Sequence, residues 1–206
     1  RIKGKSLNAQ VEASNAPDKL GHALVQYKNI DHVFCRWIHT TPAIKKEIKR
    51  INADWNDREA KLMRYLTSLA PEKTWQYTLP NDKDYQPNSA EISTQSGKIG
   101  EDYILLLSAD EKFTADGSNA LAYSEISITN LAIFENTNGF ENTESSYYVV
   151  NRQTGQPLPN IAYSIWLNRY NNRNSKYEDN KFQEGITDKN GAIVVKKRPN
   201  EYGNIR

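Results

Sequence analysis

Apolar and polar residues alternate over many short stretches of the chain, and the period changes once. Leu7–Val11 reads as a first strand, ended by the turn-forming Asn15, Pro17, Asp18 and Gly21. Ala23-Leu-Val-Gln-Tyr27 and Val33-Phe-Cys-Arg-Trp-Ile38 read as two more, joined through Lys28-Asn29. Thr41-Pro42 then has the form of a helix start, with Thr41 as N-cap and Pro42 at the first helical position. Ile44, Ile48, Ile51, Trp55, Leu62, Leu66 and Leu69 follow at spacings of three, four and seven, the stripe of an amphipathic helix. Pro71 ends it. The stretch is either one helix of about 28 residues or two, broken where Asn and Asp crowd together near Ala53–Asp57.

Alternation resumes at Thr74–Leu79. A polar loop over Pro80–Pro87 leads to a short strand near Ala90–Ser93. Asp102–Ser108 is a continuous apolar run of strand length, which suits a strand covered on both faces. Asp116-Gly117 marks a loop, and Ser124–Phe134 is again strand-like. Residues 135–146 are rich in Asn, Thr, Gly, Glu and Ser and read as a linker. Beyond it lie a strand at Tyr147–Val150, a turn at Thr154-Gly155-Gln-Pro157, and a strand at Ile161–Leu167. In that last strand Ile161, Tyr163, Ile165 and Leu167 share one side and Ala162, Ser164 and Trp166 the other. After a polar stretch with Asn168, Asn171, Asn172, Asn174 and Asp179, Phe182–Thr187 is expected to pair with Ala192–Lys196. The turn between them is Asp188-Lys-Asn190-Gly191, because Asn-Gly tolerates positive φ.

About ten short, evenly spaced strands with one helical insertion point to antiparallel sandwiches, not to a parallel sheet with alternating helices. The fold class expected is mainly β. Residues 1–136 would form an Ig-like β-sandwich with a helical insertion at about 41–70, 137–146 a linker, and 147–206 a second Ig-like β-sandwich truncated at its C-terminus.

Composition narrows the function classes. The hydrophobic fraction is 37% and the mean hydropathy −0.79, so apolar residues must be concentrated on one face of each element; the 12 Tyr and 4 Trp, with large areas to bury, help. Net charge is +2, and the most basic cluster, Lys45, Lys46, Lys49 and Arg50, is offset by Glu47, Asp54, Asp57 and Glu59. It reads as a solvated helix face, and no nucleic-acid partner is expected. No apolar run approaches the ~20 residues of a membrane span. A chain opening on Arg1 and ending at Arg206 reads as a segment of a longer protein, with any membrane anchor or targeting segment outside it.

Candidate chemistry is sparse. The one cysteine, Cys35, sits in an apolar run and reads as a small packed hydrophobe; alone it forms no internal disulfide, metal cage or redox pair. His32 and His39, seven apart, fall on opposite faces of one strand, and neither they nor His22 make a metal motif. There is no G-x-S-x-G elbow, P-loop or G-x-G-x-x-G. Asp82/Asp84 and Glu178/Asp179 are carboxylate pairs that sequence cannot bring onto one bond. Asp82-Lys-Asp84 and Asp188-Lys-Asn190-Gly191 lack the spaced ligands of a calcium loop and read as turns. The expectation is therefore no catalytic, cofactor-binding or metal-binding residue, and no enzyme. Trp166, Tyr170 and Tyr177, aromatic residues near polar loops, have the composition of a binding surface.

Tyr148-Val-Val-Asn151-Arg-Gln-Thr154-Gly155-Gln-Pro157-Leu-Pro-Asn-Ile-Ala-Tyr-Ser-Ile165 resembles the opening of bacterial macroglobulin domains, a strand, a T-G-x-P-L turn and a strand of alternating residues. Gly185-Ile-Thr187-Asp188-Lys-Asn-Gly191-Ala-Ile-Val is similar to the T-D-x-x-G hairpin that follows in such domains. Val25–Ile30, Leu79-Pro80 with Asp84-Tyr85, Gly100–Leu107 and Ser124–Phe134 resemble the order preceding that module in the bacterial alpha-2-macroglobulin family. The long helix departs from a plain macroglobulin domain. The resemblance implies macroglobulin-like sandwiches forming a non-catalytic scaffold of a protease-trapping protein. That protein would lie outside the cytoplasm: periplasmic, membrane-anchored or at the cell surface. Its partners would be the neighbouring macroglobulin-like domains of the same polypeptide and, through the whole protein, target proteases. The C-x-E-Q thioester motif of many members is missing, since Arg36-Trp-Ile38 follow Cys35. The other readings are an adhesin or surface-assembly module that binds protein or glycan, and an accessory domain of a secreted enzyme.

Overall fold

The computed structural model describes residues 3–137, 144–173, 176–196 and 204–205. The chain divides into two compact units, Arg1–Thr129 and Asn130–Arg206. It is mainly β, as the alternation predicts.

The first unit is built from β1 (Ser6–Val11), β2 (Ser14–Asn15), β3 (His22–Lys28), β4 (His32–His39), α1 (Pro42–Asn52), α2 (Arg58–Ser68), β5 (Lys73–Thr78), β6 (Asn88–Ser93), β7 (Asp102–Ser108) and β8 (Leu121–Ile128). One sheet has the order β1-β3-β6 and the other β2-β8-β7-β4-β5; all pairs are antiparallel except β2–β8. Alternation along the strands decides what each face meets. Val33, Cys35 and Trp37 of β4 and Tyr103, Leu105 and Leu107 of β7 point into the sandwich, against Val25 and Tyr27 of β3. Trp37 and Tyr103 stack there with ring centres 4.8 Å apart. The intervening Ile38, Ile104 and Leu106 point the other way and pack under the helices, against Ile48, Ile51, Leu62 and Leu66. The run Tyr103–Leu107 is thus apolar throughout because it is covered on both faces.

The helical insertion is two helices. Thr41 caps the first, the Ile44 amide donating to its Oγ1 at 3.3 Å, and Pro42 opens it. Between them Asp54 takes the Asn56 amide (3.0 Å) and the Lys61 ammonium (2.5 Å), and Asp57 adopts φ +50°. This turn destroys the helical phase that placed Trp55 in the buried stripe. Trp55 is instead 86% exposed.

The second unit contains β9 (Leu131–Thr137), β10 (Glu144–Asn151), β11 (Ala162–Asn171), β12 (Lys176–Ile186), β13 (Ala192–Lys196) and β14 (Asn204–Ile205). Its sheets have the orders β13-β10-β9 and β12-β11-β14, around a small core of Val149, Ile165, Ile193 and Val195.

Three expectations change. The single strand read over Ser124–Phe134 is two, β8 and β9, which belong to different sheets, so the units divide at Thr129/Asn130 and not at 136. The expected linker, 137–146, includes 138–143, which lie outside the described residues; on either side of them β9 and β10 pair with each other. Finally, the segments flanking Asp188–Gly191 do not form one ladder. β12 pairs with β11 and β13 with β10, so this turn carries the chain from one sheet to the other. Only Gly191 there has positive φ (+71°), whereas a type I′ hairpin needs two such residues.

Candidate functional site

The two motif turns of the second unit lock onto each other. After β10, Asn151 Oδ1 accepts the amides of Gln153 (2.9 Å) and Thr154 (3.0 Å), and Gly155 turns at φ +71°. The chain then runs back beside β10, with Val150 bridged to Pro157 and the Leu158 amide donating to the Val149 carbonyl at 2.9 Å. Thr187, buried in the other motif, donates from Oγ1 to the Leu158 carbonyl (2.7 Å) and accepts there from the Ile161 amide (2.9 Å). Asp188 Oδ1 accepts the amides of Asn190 (2.8 Å) and Ala192 (2.7 Å). Its carboxylate is used in holding the turn, the role read for it from the sequence.

The other candidates stay apart. Cys35 is buried in the first sandwich, and burial pushes its thiol up to about 12. His22 pairs with Glu91 (2.7 Å), His32 lies 3.4 Å from Thr78 Oγ1, and His39 pairs with Glu101 (3.3 Å), which also accepts from the Tyr103 hydroxyl (3.0 Å). Lys45 pairs with Asp102, and Arg50 with Glu47. Asp84 accepts the Gln86 amide (2.9 Å) in an exposed turn. No metal-ligating cluster occurs among the described residues.

Two exposed features involve the aromatic residues Trp55, Trp166, Tyr170 and Tyr177. In the first unit, Trp55 rims an open groove of about 570 Å³ that also touches Arg58, Met63, Gly117 and Leu121. In the second, the structure places Trp166, Tyr170 and Tyr177 on one face of a ribbon. β11 and β12 are ten and eleven residues long and pair from end to end, with one register shift at Ile165/Trp166, through the stretch read from sequence as polar. The paired rows Trp166↔Lys181, Asn168↔Asp179 and Tyr170↔Tyr177 lie on the face away from Ile165 and Leu167. Tyr170 and Tyr177 meet edge to face at 5.1 Å, and Asn168 Nδ2 donates to Asp179 at 2.6 Å.

No protein-family model matches the sequence, and no curated protein matches it. Solved structures do. A crystal structure of native alpha-2-macroglobulin from Escherichia coli spanning domains NIE-MG1 matches over 98% of this chain and 95% of that chain, at 12% identity and a TM-score of 0.54. The fold is that of an NIE-MG1 segment. A longer structure of the same E. coli protein, spanning MG0-NIE-MG1, matches with the same identity and TM-score, again over 98% of this chain; the chain spans 62% of its length. The cryo-EM reconstruction of native E. coli alpha-2-macroglobulin matches over 98% of this chain and 12% of that one, at 12% identity and a TM-score of 0.42. The resemblance to bacterial alpha-2-macroglobulins read from the sequence therefore holds at the level of the NIE-MG1 fold. Within that fold, T-G-x-P-L and T-D-x-x-G are two halves of one structural lock. No helix among the described residues is long and apolar enough to cross a membrane.

Proposed function

We propose that the chain is a non-catalytic scaffold segment of a larger alpha-2-macroglobulin-like protein that traps or inhibits proteases outside the cytoplasm. The observation that carries this reading is the match of both units to one NIE-MG1 structure over nearly the full length of each chain. In this reading residues 1–129 stand in for the NIE domain and 130–206 for the MG1 domain. Their partners are the neighbouring macroglobulin-like domains of the same polypeptide, and any anchor lies elsewhere. The motif turns fit a structural role, because the Thr187 hydroxyl and the Asp188 carboxylate hydrogen-bond to backbone groups.

The test uses the full-length protein. Incubated with a protease, it should block cleavage of a large protein substrate while leaving cleavage of a small peptide substrate. The 206-residue chain alone should do neither. Full-length protein that leaves both substrates equally cleaved refutes the reading.

The aromatic face of β11–β12 favours a second reading, a surface module that binds a ligand of its own.

A further inference from the structure

We propose that Asn190 is a deamidation site gated by folding. The native second unit shields it, and once that unit opens, the backbone at Asn190–Gly191 is rerouted in a way that prevents refolding. The inference is independent of protease trapping.

The chemistry belongs to the Asn-Gly pair. The Gly191 backbone nitrogen attacks the Asn190 side-chain carbon Cγ, an approach that glycine, with no Cβ, leaves unhindered. The N–Cγ bond forms, the Cγ–Nδ2 bond breaks, and Nδ2 departs as ammonia with the proton of the Gly191 amide. Water then opens the cyclic imide at either carbonyl, to aspartate or to isoaspartate. In isoaspartate the main chain runs through the former side chain and is one methylene longer. The sequence places Asn before Gly at Asn138 and Asn190, and Asn190 is the one within the described residues.

The fold leaves the amide in water and seals the nucleophile. Asn190 is exposed, whereas Gly191 is buried. The Gly191 amide donates to the Asp188 carbonyl at 2.9 Å, and the Gly191 carbonyl accepts the Val149 amide at 2.8 Å. The α-carbon is wedged as well, since an added Cβ would stand 2.4 Å from the Val149 carbonyl oxygen. On either side of Gly191, Asp188 Oδ1 holds the amides of Asn190 and Ala192. To reach Cγ, the Gly191 nitrogen has to leave the Asp188 carbonyl and rotate inside this fastened segment. That rotation breaks the junction between β10 and the start of β13, so the reaction waits for local opening of the unit.

The product makes the opening permanent. Isoaspartate inserts its extra methylene between two amides that one carboxylate spans at 2.8 and 2.7 Å. Both bonds cannot be kept with Gly191 still seated against Val149. Chemical change in the opened chain therefore turns a reversible unfolding into an irreversible one.

The 206-residue chain should be incubated in mildly alkaline buffer with and without guanidinium and then digested. Mass spectrometry and isoaspartyl methyltransferase labelling quantify the converted Asn190 peptide. In guanidinium Asn190 should convert at a rate similar to Asn138. In native buffer Asn190 should convert at least about tenfold more slowly, because only the opened fraction reacts. Thr187→Val, which loosens the junction without touching the reacting atoms, should speed native conversion. After guanidinium is removed, chains with isoaspartate at position 190 should not regain the second unit. The Asn190→Asp variant, with the same new charge on an unaltered backbone, should refold. The proposal is overturned if the native wild-type chain converts as fast as the chain in guanidinium, or if isoaspartyl chains refold to the urea midpoint of untreated protein. A folded Thr187→Val variant that converts no faster than wild type overturns it too. The first two comparisons use the wild-type sequence and stand even where Thr187→Val does not fold.

Discussion

The Thr187 hydroxyl donates to the Leu158 carbonyl at 2.7 Å, joining the two sequence motifs of the second unit through one buried side chain. The same oxygen accepts the Ile161 amide, so both of its roles go to partly buried backbone groups. Thr187→Val keeps the shape and removes the polar partner of both groups. Each unsatisfied group costs about 1–3 kcal/mol. The variant should lower the urea midpoint of the second unit, while Thr187→Ser, which keeps the hydroxyl, should lose much less.

Gly191 and Gly155 share φ +71° but differ in surroundings. A Cβ at Gly155 would meet nothing within 4 Å, and Gly155→Ala should cost only the left-handed backbone penalty of about 1–2 kcal/mol. A Cβ at Gly191 would stand 2.4 Å from the Val149 carbonyl oxygen and 3.0 Å from the Leu158 amide nitrogen. Those atoms belong to paired backbone and cannot yield without breaking the lock. Gly191→Ala should therefore destabilise the second unit clearly more than Gly155→Ala. Equal midpoints for the two variants would show that the turn relaxes freely.

Most of the first unit is legible in the sequence because its cues are local. Alternation in Ala23–Tyr27 and Val33–Ile38, the unbroken Asp102–Ser108 run and the Thr41-Pro42 cap each depend on residues a few positions apart. What escapes has a non-local cause. Trp55 keeps the helical spacing in sequence, and only the turn held by Asp54 puts it in solvent. Asp188–Gly191 has hairpin chemistry, yet the strands on either side find better partners in opposite sheets. The aromatic face was half visible. Composition singles out Trp166, Tyr170 and Tyr177, but the polar residues between them hide the pairing that aligns them.

Among the described residues strand β9 ends its sheet, and Glu135 is the one charged side chain on it. Leu131, Ile133 and Phe134 are 37%, 64% and 60% exposed, on both faces of the strand, and its pairing with β10 runs without a bulge. No Lys or Pro interrupts it. Such an edge is a template for another strand. Ile133→Lys should reduce concentration-dependent light scattering of the chain while changing its unfolding free energy by no more than about 0.5 kcal/mol. Undiminished scattering would place the sticky surface elsewhere.

Cys35 gives a pH dependence whose sign follows from its burial. The thiol is 1% exposed, and burial raises it from an ordinary 9.0 to about 12. Below pH 9 it is neutral in both folded and unfolded chains and has no effect on the pH slope. Between pH 9 and 12 the unfolded chain releases the proton and the folded chain keeps it, so the folded state binds more protons and stability falls as pH rises. The full slope for one proton is about 1.4 kcal/mol per pH unit. Tyr27, Tyr103 and Tyr123, also raised by burial, add to the decline in the same direction, so the Cys35 share is read as a difference. Cys35→Ala should flatten the alkaline limb of a plot of urea-unfolding free energy against pH, at a packing cost of about 1–3 kcal/mol at pH 7. In the folded wild-type chain the thiol should also resist a thiolate-specific disulfide reagent at pH 8 and react once urea unfolds the first unit. Rapid labelling of the native chain, or parallel alkaline limbs for the two proteins, would mean that Cys35 is not the sealed core residue it is taken to be.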